Sequence, residues 1–206
     1  DSPSMNGFKL AYLHSTDAGT AVNSFDDNRN KVNSLGLSYT GGPLYVAYAY
    51  ETHQFNAGIT TTGDAVETGS RLGASYKIGA LKLAAQYQDL KNMGGKTAAG
   101  SSVDRKAWSL GGAYAVGNNV FKAQYVKANA ISQFSSGTSG DNTGAKLWAL
   151  GWDHLFSKTV KAYVAYAKTD NDSAAAFTYT AGHGEATTPR TGGDPSVWSV
   201  GMVVDF

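Results

Sequence analysis

The sequence predicts an all-β protein, an antiparallel transmembrane β-barrel with about ten strands in one domain that spans residues 1–206. Polarity alternates from residue to residue almost from end to end of the chain, whereas a helical period of 3.6 is hard to find. Short and long connections also alternate along the chain. The longest purely apolar run, 44–50, is far shorter than the roughly 18–20 residues that a transmembrane helix requires. These observations exclude a helical membrane protein and allow a β-barrel.

Ten segments of alternating polarity are predicted as strands, at about 7–15, 33–40, 44–53, 69–78, 81–90, 107–116, 120–128, 145–155, 159–168 and 196–206. Four short turns join strands in pairs, namely Gly41-Gly42-Pro43, Gly79-Ala80, Gly117-Asn118-Asn119 and Ser157-Lys158. Five long polar loops lie before, between and after these pairs, at about 16–32, 54–68, 91–106, 129–144 and 169–195. The loops are rich in Thr, Ser, Asn, Asp and Gly, as solvated loops are.

The spacing of the short turns indicates where the protein resides. They begin at positions 41, 79, 117 and 157, so one hairpin and one long loop repeat at intervals of 38–40 residues. A soluble sandwich has no reason to collect its long loops at one end. Outer-membrane barrels do so, because their periplasmic turns are short and their extracellular loops are longer. We therefore expect a barrel in the outer membrane of a Gram-negative bacterium.

Alternate positions in the strands divide into two faces of opposite character. The apolar face, which includes Leu37, Leu83 and Leu150, carries aliphatic residues in mid-strand and aromatic residues near the strand ends. The polar face, which includes Ser38 and Gln124, carries small or polar residues. In a soluble sandwich the apolar face would be the packed interior. We favour lipid, because every strand has the same pattern and no helix covers a sheet edge.

Aromatic side chains near strand ends are typical of the girdles at membrane interfaces. The sequence places its four tryptophans on the apolar face, and we predict that they form part of such a girdle: Trp108, Trp148, Trp152 and Trp198.

Charged residues sort by location in the predicted barrel. Eleven of the sixteen acidic residues lie in the predicted long loops. Inward strand positions carry Glu51, Asp153 and Asp205 but also six basic residues, Lys9, Arg71, Lys77, Lys82, Lys122 and Lys161. A pore lined with Lys and Arg favours anions. The pattern therefore predicts an anion-attracting channel wall, and the alternative is that isolated lysines only keep the lumen wet.

Three stretches resemble a known family. Residues 198–206 end in Phe with apolar residues at every second place, which resembles the outer-membrane assembly signal, here Val200, Met202, Val204 and Phe206. Residues 2–8 and 155–159, the latter followed by Tyr163 and Tyr166, resemble β-proteobacterial (neisserial-type) general porins. The resemblance covers the whole chain.

This resemblance implies a function and an assembly. Porins of this type are similar to barrels of about sixteen strands, so the ten strands correspond to the seventh through sixteenth, without the N-terminal part and its constriction loop. The resemblance implies passive diffusion of small hydrophilic solutes and anions, contact with the lipid and lipopolysaccharide of the outer membrane, and a homotrimer. Small outward residues such as Gly112 and Ala123 would permit close packing between barrels.

Catalysis has little support. The absence of cysteine excludes disulfides, thiolate metal sites and cysteine nucleophiles. The histidines, His14, His53, His154 and His183, show no metal-ligand spacing, so we expect no metal, no cofactor and no enzyme. The alternative enzyme is a ten-stranded outer-membrane protease, for which Asp170, Asp172 and His183 are the only candidates.

Binding functions remain as alternatives. An adhesin or receptor barrel would use its long loops, such as 169–195, for recognition. The clusters 26–28 and 170–172 offer oxygen ligands for Ca²⁺ without the spacing of a dedicated site, and we favour solvation. The net charge of +1 is too balanced for a protein that coats nucleic acid. The first residues have neither the basic nor the apolar region of a signal peptide, so we expect none in this sequence.

Overall fold

A computed structural model describes residues 1–16, 31–55, 65–93, 103–132, 140–178 and 189–205. All regular secondary structure in these ranges is β-strand. The ten strands are β1 Phe8–Ser15, β2 Lys31–Gly41, β3 Leu44–Phe55, β4 Ala65–Ile78, β5 Leu81–Lys91, β6 Arg105–Val116, β7 Asn119–Ala128, β8 Ala145–Leu155, β9 Val160–Asn171 and β10 Ser196–Val204. They form one antiparallel sheet in chain order, which confirms the predicted all-β class. No helix within the described ranges is long and apolar enough to cross a bilayer.

The predicted short turns lie where the sequence places them. Three of them contain a glycine of positive φ, namely Gly42 (54°), Gly79 (57°) and Gly117 (55°), while Gly41 and Asn119 of the predicted turns belong to β2 and β7. The residue after each glycine has no positive φ, which is the pattern of the tight type II′ hairpin turn. The fourth turn uses a side chain instead, because Ser157 Oγ accepts hydrogen bonds from the amides of Thr159 and Val160 at 3.2 and 3.0 Å.

Several strands are longer than predicted, and the extra residues lie at the ends that lead to long loops. The extensions are two to four residues in β2, β3, β4, β6 and β9. Glu67 and Asp170, which the sequence places in loops, therefore lie in β4 and β9. In β2 and β9 backbone pairing continues through the extra residues, and polarity no longer alternates there in the sequence. By contrast, β10 is shorter than predicted. It ends at Val204, so Asp205 follows the strand rather than lying within it.

The described chain forms two compact units. Unit 1 comprises Asp1–Ala74, Tyr87–Lys106 and Ile131–Gly140, and unit 2 comprises Ser75–Gln86, Ala107–Ala130 and Asp141–Phe206. In unit 1, β2 pairs with both β1 and β3. Leu37 lies opposite Leu10 of β1 and Tyr48 of β3, so apolar residues meet apolar residues across the strands.

In unit 2 the register runs continuously from β6 to β10. Tyr125 of β7 lies opposite Leu110 of β6 and Trp148 of β8, and Leu150 of β8 lies opposite Tyr166 of β9. Each of these residues belongs to the apolar face that the sequence predicts. The pairing therefore confirms the division into two faces for these strands.

The described residues have almost no apolar core. Ala145 and Ala175 are the buried hydrophobic residues among them, and no large side chain is fully buried. The large apolar residues lie instead on the surface of the sheet, where Leu150 is 54% exposed and Val200 is 78% exposed. A contiguous apolar surface of this kind is unfavourable in water and favourable against lipid.

Candidate functional site

The polar face of unit 2 forms a shallow basin between two of the predicted lysines. Lys82 of β5 and Lys122 of β7 line a concavity of about 380 Å³. Its other polar-face residues are uncharged: Ala84, Gly111, Ala113, Gln124, Ala149, Gly151 and Ala165. The two ammonium groups therefore supply the charge of this lining.

A buried carboxylate contacts Lys122 and one more of the predicted cations, Lys161. The side chain of Asp153 is 10% exposed, and its Oδ2 accepts hydrogen bonds from Lys122 Nζ at 2.6 Å and from Lys161 Nζ at 3.3 Å. The strand register explains both contacts. Asp153 of β8 lies opposite Tyr163 of β9, and Tyr163 is two residues from Lys161. Asp153 is also two residues from Gly151, which lies opposite Lys122 of β7. One negative charge is thus shared by two positive ones, and a net positive charge remains.

The predicted cations of unit 1 have their own partners. Lys9 Nζ lies 3.0 Å from Asp1 Oδ2, with both side chains about half exposed. Arg71 Nη2 donates to Gln88 Oε1 at 3.3 Å and lines a small cavity with Glu51. Glu51 Oε1 also lies 2.7 Å from His53 Nε2.

The six predicted wall residues are therefore not equivalent. Lys77 and Lys82 form no ion pair with any residue that the structure describes, whereas Lys122 and Lys161 share Asp153 and Lys9 pairs with Asp1. Sequence alternation identifies Asp153 as inward but gives no sign that it binds two lysines. That contact depends on the stagger between β7, β8 and β9, which the sequence does not reveal.

The four tryptophans of the predicted girdle all lie on the apolar face. Three of them stand near the long-loop ends of their strands, where Trp108 contacts Tyr125 at a ring-centroid distance of 5.3 Å. Tyr166 lies between Trp148 and Trp198, at 5.1 and 4.8 Å. Trp152 lies nearer the short turns, where its indole Nε1 donates to Asn119 Oδ1 at 3.0 Å.

The predicted assembly signal is described in part. Val200, Met202 and Val204 follow one another on the apolar face of β10, and all three are exposed. Phe206 lies outside the described residues.

The residues considered for catalysis or Ca²⁺ binding have other contacts where they are described. Asp170 Oδ1 lies 2.5 Å from Lys168 Nζ. The Asn171 side chain binds backbone groups of Phe177 and Gly193. No group of three metal-ligating side chains occurs within the described ranges. His183 and the cluster 26–28 lie outside them.

An antiparallel sheet with one apolar face, one polar face and short turns at one end defines an outer-membrane β-barrel protein. A family model described as Gram-negative porin matches residues 1–174. The chain belongs to this family of outer-membrane channel proteins. A search of curated proteins found no match. The family match favours a channel over the protease considered from the sequence.

Solved structures show the same fold. A porin refined at 1.8 Å resolution is similar with a TM-score of 0.66 and 17% identity, over 99% of this chain and 60% of that one. OmpT, an outer-membrane protein of Vibrio cholerae, gives a TM-score of 0.67 and 18% identity over 97% and 61%. The NanC porin gives 0.51 and 11% over 98% and 95%. The chain therefore spans about three fifths of the length of the first two structures.

Proposed function

We propose that this chain forms the wall of a water-filled channel through which small hydrophilic solutes diffuse passively, with a preference for anions. The charge on the polar face of unit 2 carries the proposal. Its strands bear four lysines on that face, Lys77, Lys82, Lys122 and Lys161, and one carboxylate, Asp153, which two of the lysines share. In a porin barrel the polar face lines the lumen.

The physical basis of the preference is the strength of charge interactions inside a narrow lumen. Two unit charges interact several times more strongly at the edge of a protein than in bulk water. Salt screens exposed charges over about 8–10 Å. The lysines therefore act as a field that attracts anions in general, and the preference weakens as salt concentration rises.

Reversal of one lumen charge tests the proposal. In planar bilayers under a KCl gradient, we expect the wild-type reversal potential to indicate Cl⁻ preference and Lys82→Glu to shift it toward K⁺. The shift is expected to be larger at low salt. Lys158→Glu is the matched control, since it makes the same charge change in a short turn outside the basin, and we expect a smaller shift from it. A wild-type channel that prefers K⁺ would contradict the proposal.

We also propose that the chain corresponds to the last ten strands of a neisserial-type porin of about sixteen strands, in one barrel domain. Its coverage of 60% and 61% of two longer solved chains supports this relation. The intact mass of the native protein tests it, because a mass near 21.6 kDa would contradict it and a markedly heavier chain is expected.

A homotrimer is proposed on the same resemblance. Of the two small residues considered for contact between barrels, Gly112 is already covered within its own chain, since an added Cβ would lie 3.3 Å from Leu83 Cδ2. Crosslinking in mild detergent is expected to yield trimers, and only monomers would count against the assembly.

A further inference from the structure

The polar face of unit 1 carries two opposite charges that face one cavity and do not pair with each other. Glu51 of β3 and Arg71 of β4 line a cavity of about 230 Å³, and every residue of its lining belongs to unit 1. Among the described ion pairs none joins these two side chains. Opposite charges attract across such a space, so other contacts must hold the two groups apart.

Each of the two charges has its own partner. Glu51 Oε1 lies 2.7 Å from Nε2 of His53, two residues further along β3. Arg71 Nη2 donates to Gln88 Oε1 of β5 at 3.3 Å. A guanidinium has several N–H donors, and the contact with Gln88 uses one of its nitrogens. The side chain of Glu51 is 47% exposed, so its carboxylate stays accessible from the cavity.

The rest of the lining is small and uncharged. Ser34 of β2 lies directly opposite Glu51. Ala49 and Leu90 supply apolar surface, and Leu90 reaches over Gly69, where an added Cβ would lie 3.2 Å from its Cδ2. The cavity is smaller than the roughly 300–1,000 Å³ of sites for drug-sized ligands. It therefore suits a solute of few atoms that carries both charges and a short apolar group.

We propose that this cavity is a weak binding site for small zwitterionic α-amino acids. The carboxylate of the solute binds Arg71, its ammonium group binds Glu51, and a short aliphatic side chain lies against Leu90. A planar guanidinium holds a carboxylate through two parallel hydrogen bonds. The binding is weak because a channel must release what it binds. This inference deepens the proposed function by naming a solute class, and it rests on the polar face lining the lumen.

A simple anion or cation fits the cavity less well than a zwitterion does. An anion attracted by Arg71 is repelled by Glu51, and a cation attracted by Glu51 is repelled by Arg71. The basin of unit 2 differs, because its two lysines are the charged residues of its lining. We therefore expect the cavity of unit 1 to select by the arrangement of both charges on the solute rather than by net charge.

A series of three solutes tests the site in the wild-type protein. L-Alanine carries both charges, propionate is the same skeleton without the ammonium group, and ethylamine lacks the carboxylate. Saturation-transfer NMR titrations of the native protein in neutral detergent would compare their dissociation constants. Loss of a hydrogen-bonded charged group is expected to weaken binding about tenfold, for propionate and for ethylamine alike. Propionate binding as tightly as L-alanine would overturn the proposal, because attraction of anions alone would explain it.

Substitutions assign the two ends of the solute. Glu51→Gln is expected to bind L-alanine about tenfold more weakly and propionate more tightly, because the repelling carboxylate is removed. Arg71→Gln is expected to weaken the binding of both solutes. Asp205→Asn and Lys158→Gln make the same charge changes outside the cavity, and we expect wild-type binding from them. A general disturbance of the fold would not move the two solutes in opposite directions, so unchanged or parallel effects in Glu51→Gln would overturn the proposal.

Uptake into liposomes separates this proposal from that of the channel. Uptake of L-alanine is expected to saturate with concentration, whereas uptake of L-arabinose, an uncharged solute, is expected to rise in proportion to it. Exclusion of both solutes would contradict the channel, while the titrations in detergent require no flux and still decide the site. Free passage of L-arabinose without tighter binding of L-alanine than of propionate would overturn the site and leave the channel standing.

Discussion

At the residue scale, single backbone conformations fix the hairpins. Gly117 has a φ of 55° and nothing within 4 Å of the position where a Cβ would be added. The cost of a side chain there is therefore one of backbone conformation alone. We predict that Gly117→Ala lowers the free energy of unfolding by about 1 kcal/mol, because L-residues are strained in the left-handed region. Urea unfolding in lipid vesicles measures this change.

Two variants control that measurement. Gly117→Asn is expected to lose less, since asparagine tolerates the left-handed conformation. Gly151→Ala is expected to be nearly neutral, because its added Cβ would meet Lys122 Cβ at 3.6 Å, an ordinary contact. A loss at position 151 equal to that at 117 would contradict the conformational explanation.

The shared carboxylate leads to a second residue-scale prediction. Asp153→Asn removes the charge that Lys122 and Lys161 both contact. Their side chains are 46% and 40% exposed, so the released ammonium groups remain hydrated and add to the field in the lumen. We predict a reversal potential shifted further toward Cl⁻. No shift, or a shift toward K⁺, would show that Asp153 does not set the charge of the wall.

At the scale of the strand, adjacent residues face different environments, one lipid and the next water. Leu150 lies mid-way between Trp148 and Trp152 on the apolar face of β8, and Ala149 lies on the polar face beside it. We predict that Leu150→Lys lowers the free energy of unfolding from the bilayer by about 2–4 kcal/mol, because the charge is placed among lipid chains. Ala149→Lys is expected to cost little. Equal losses for the two variants would contradict the assignment of faces.

The strands and turns were predictable because both have local signals. Alternation defines β8 to the residue, and the glycines at 42, 79 and 117 mark three hairpin turns. The extra residues of β4 and β9 were not predictable, because polarity does not alternate regularly around Glu67 and Asp170. The sequence also does not reveal which residues lie opposite each other on neighbouring strands. The sequence shows Lys127 and Lys146 as separate loop-proximal lysines, and only the register of β7 with β8 makes them neighbours.

At the scale of the whole molecule, the alternation of side chains along each strand is enough to separate a surface for lipid from a surface for water. The described residues have almost no buried apolar core, and their large apolar side chains are displayed on one face. The hydrophobic effect therefore acts between the sheet and the membrane rather than within the protein. The other face carries the charges on which the proposed anion preference depends.

The most direct measurement uses the absence of native cysteine. Ala84 and Ala85 are adjacent exposed alanines on opposite faces of β5, so Ala84→Cys and Ala85→Cys form a matched pair. In membranes, water-soluble thiosulfonate reagents are expected to modify position 84 and not 85. At position 84 the anionic reagent is expected to react faster than the cationic one, after both rates are normalised to a free thiol in solution. Modification of 85 rather than 84, or faster reaction of the cationic reagent at 84, would contradict a basic, water-filled lumen on the polar face.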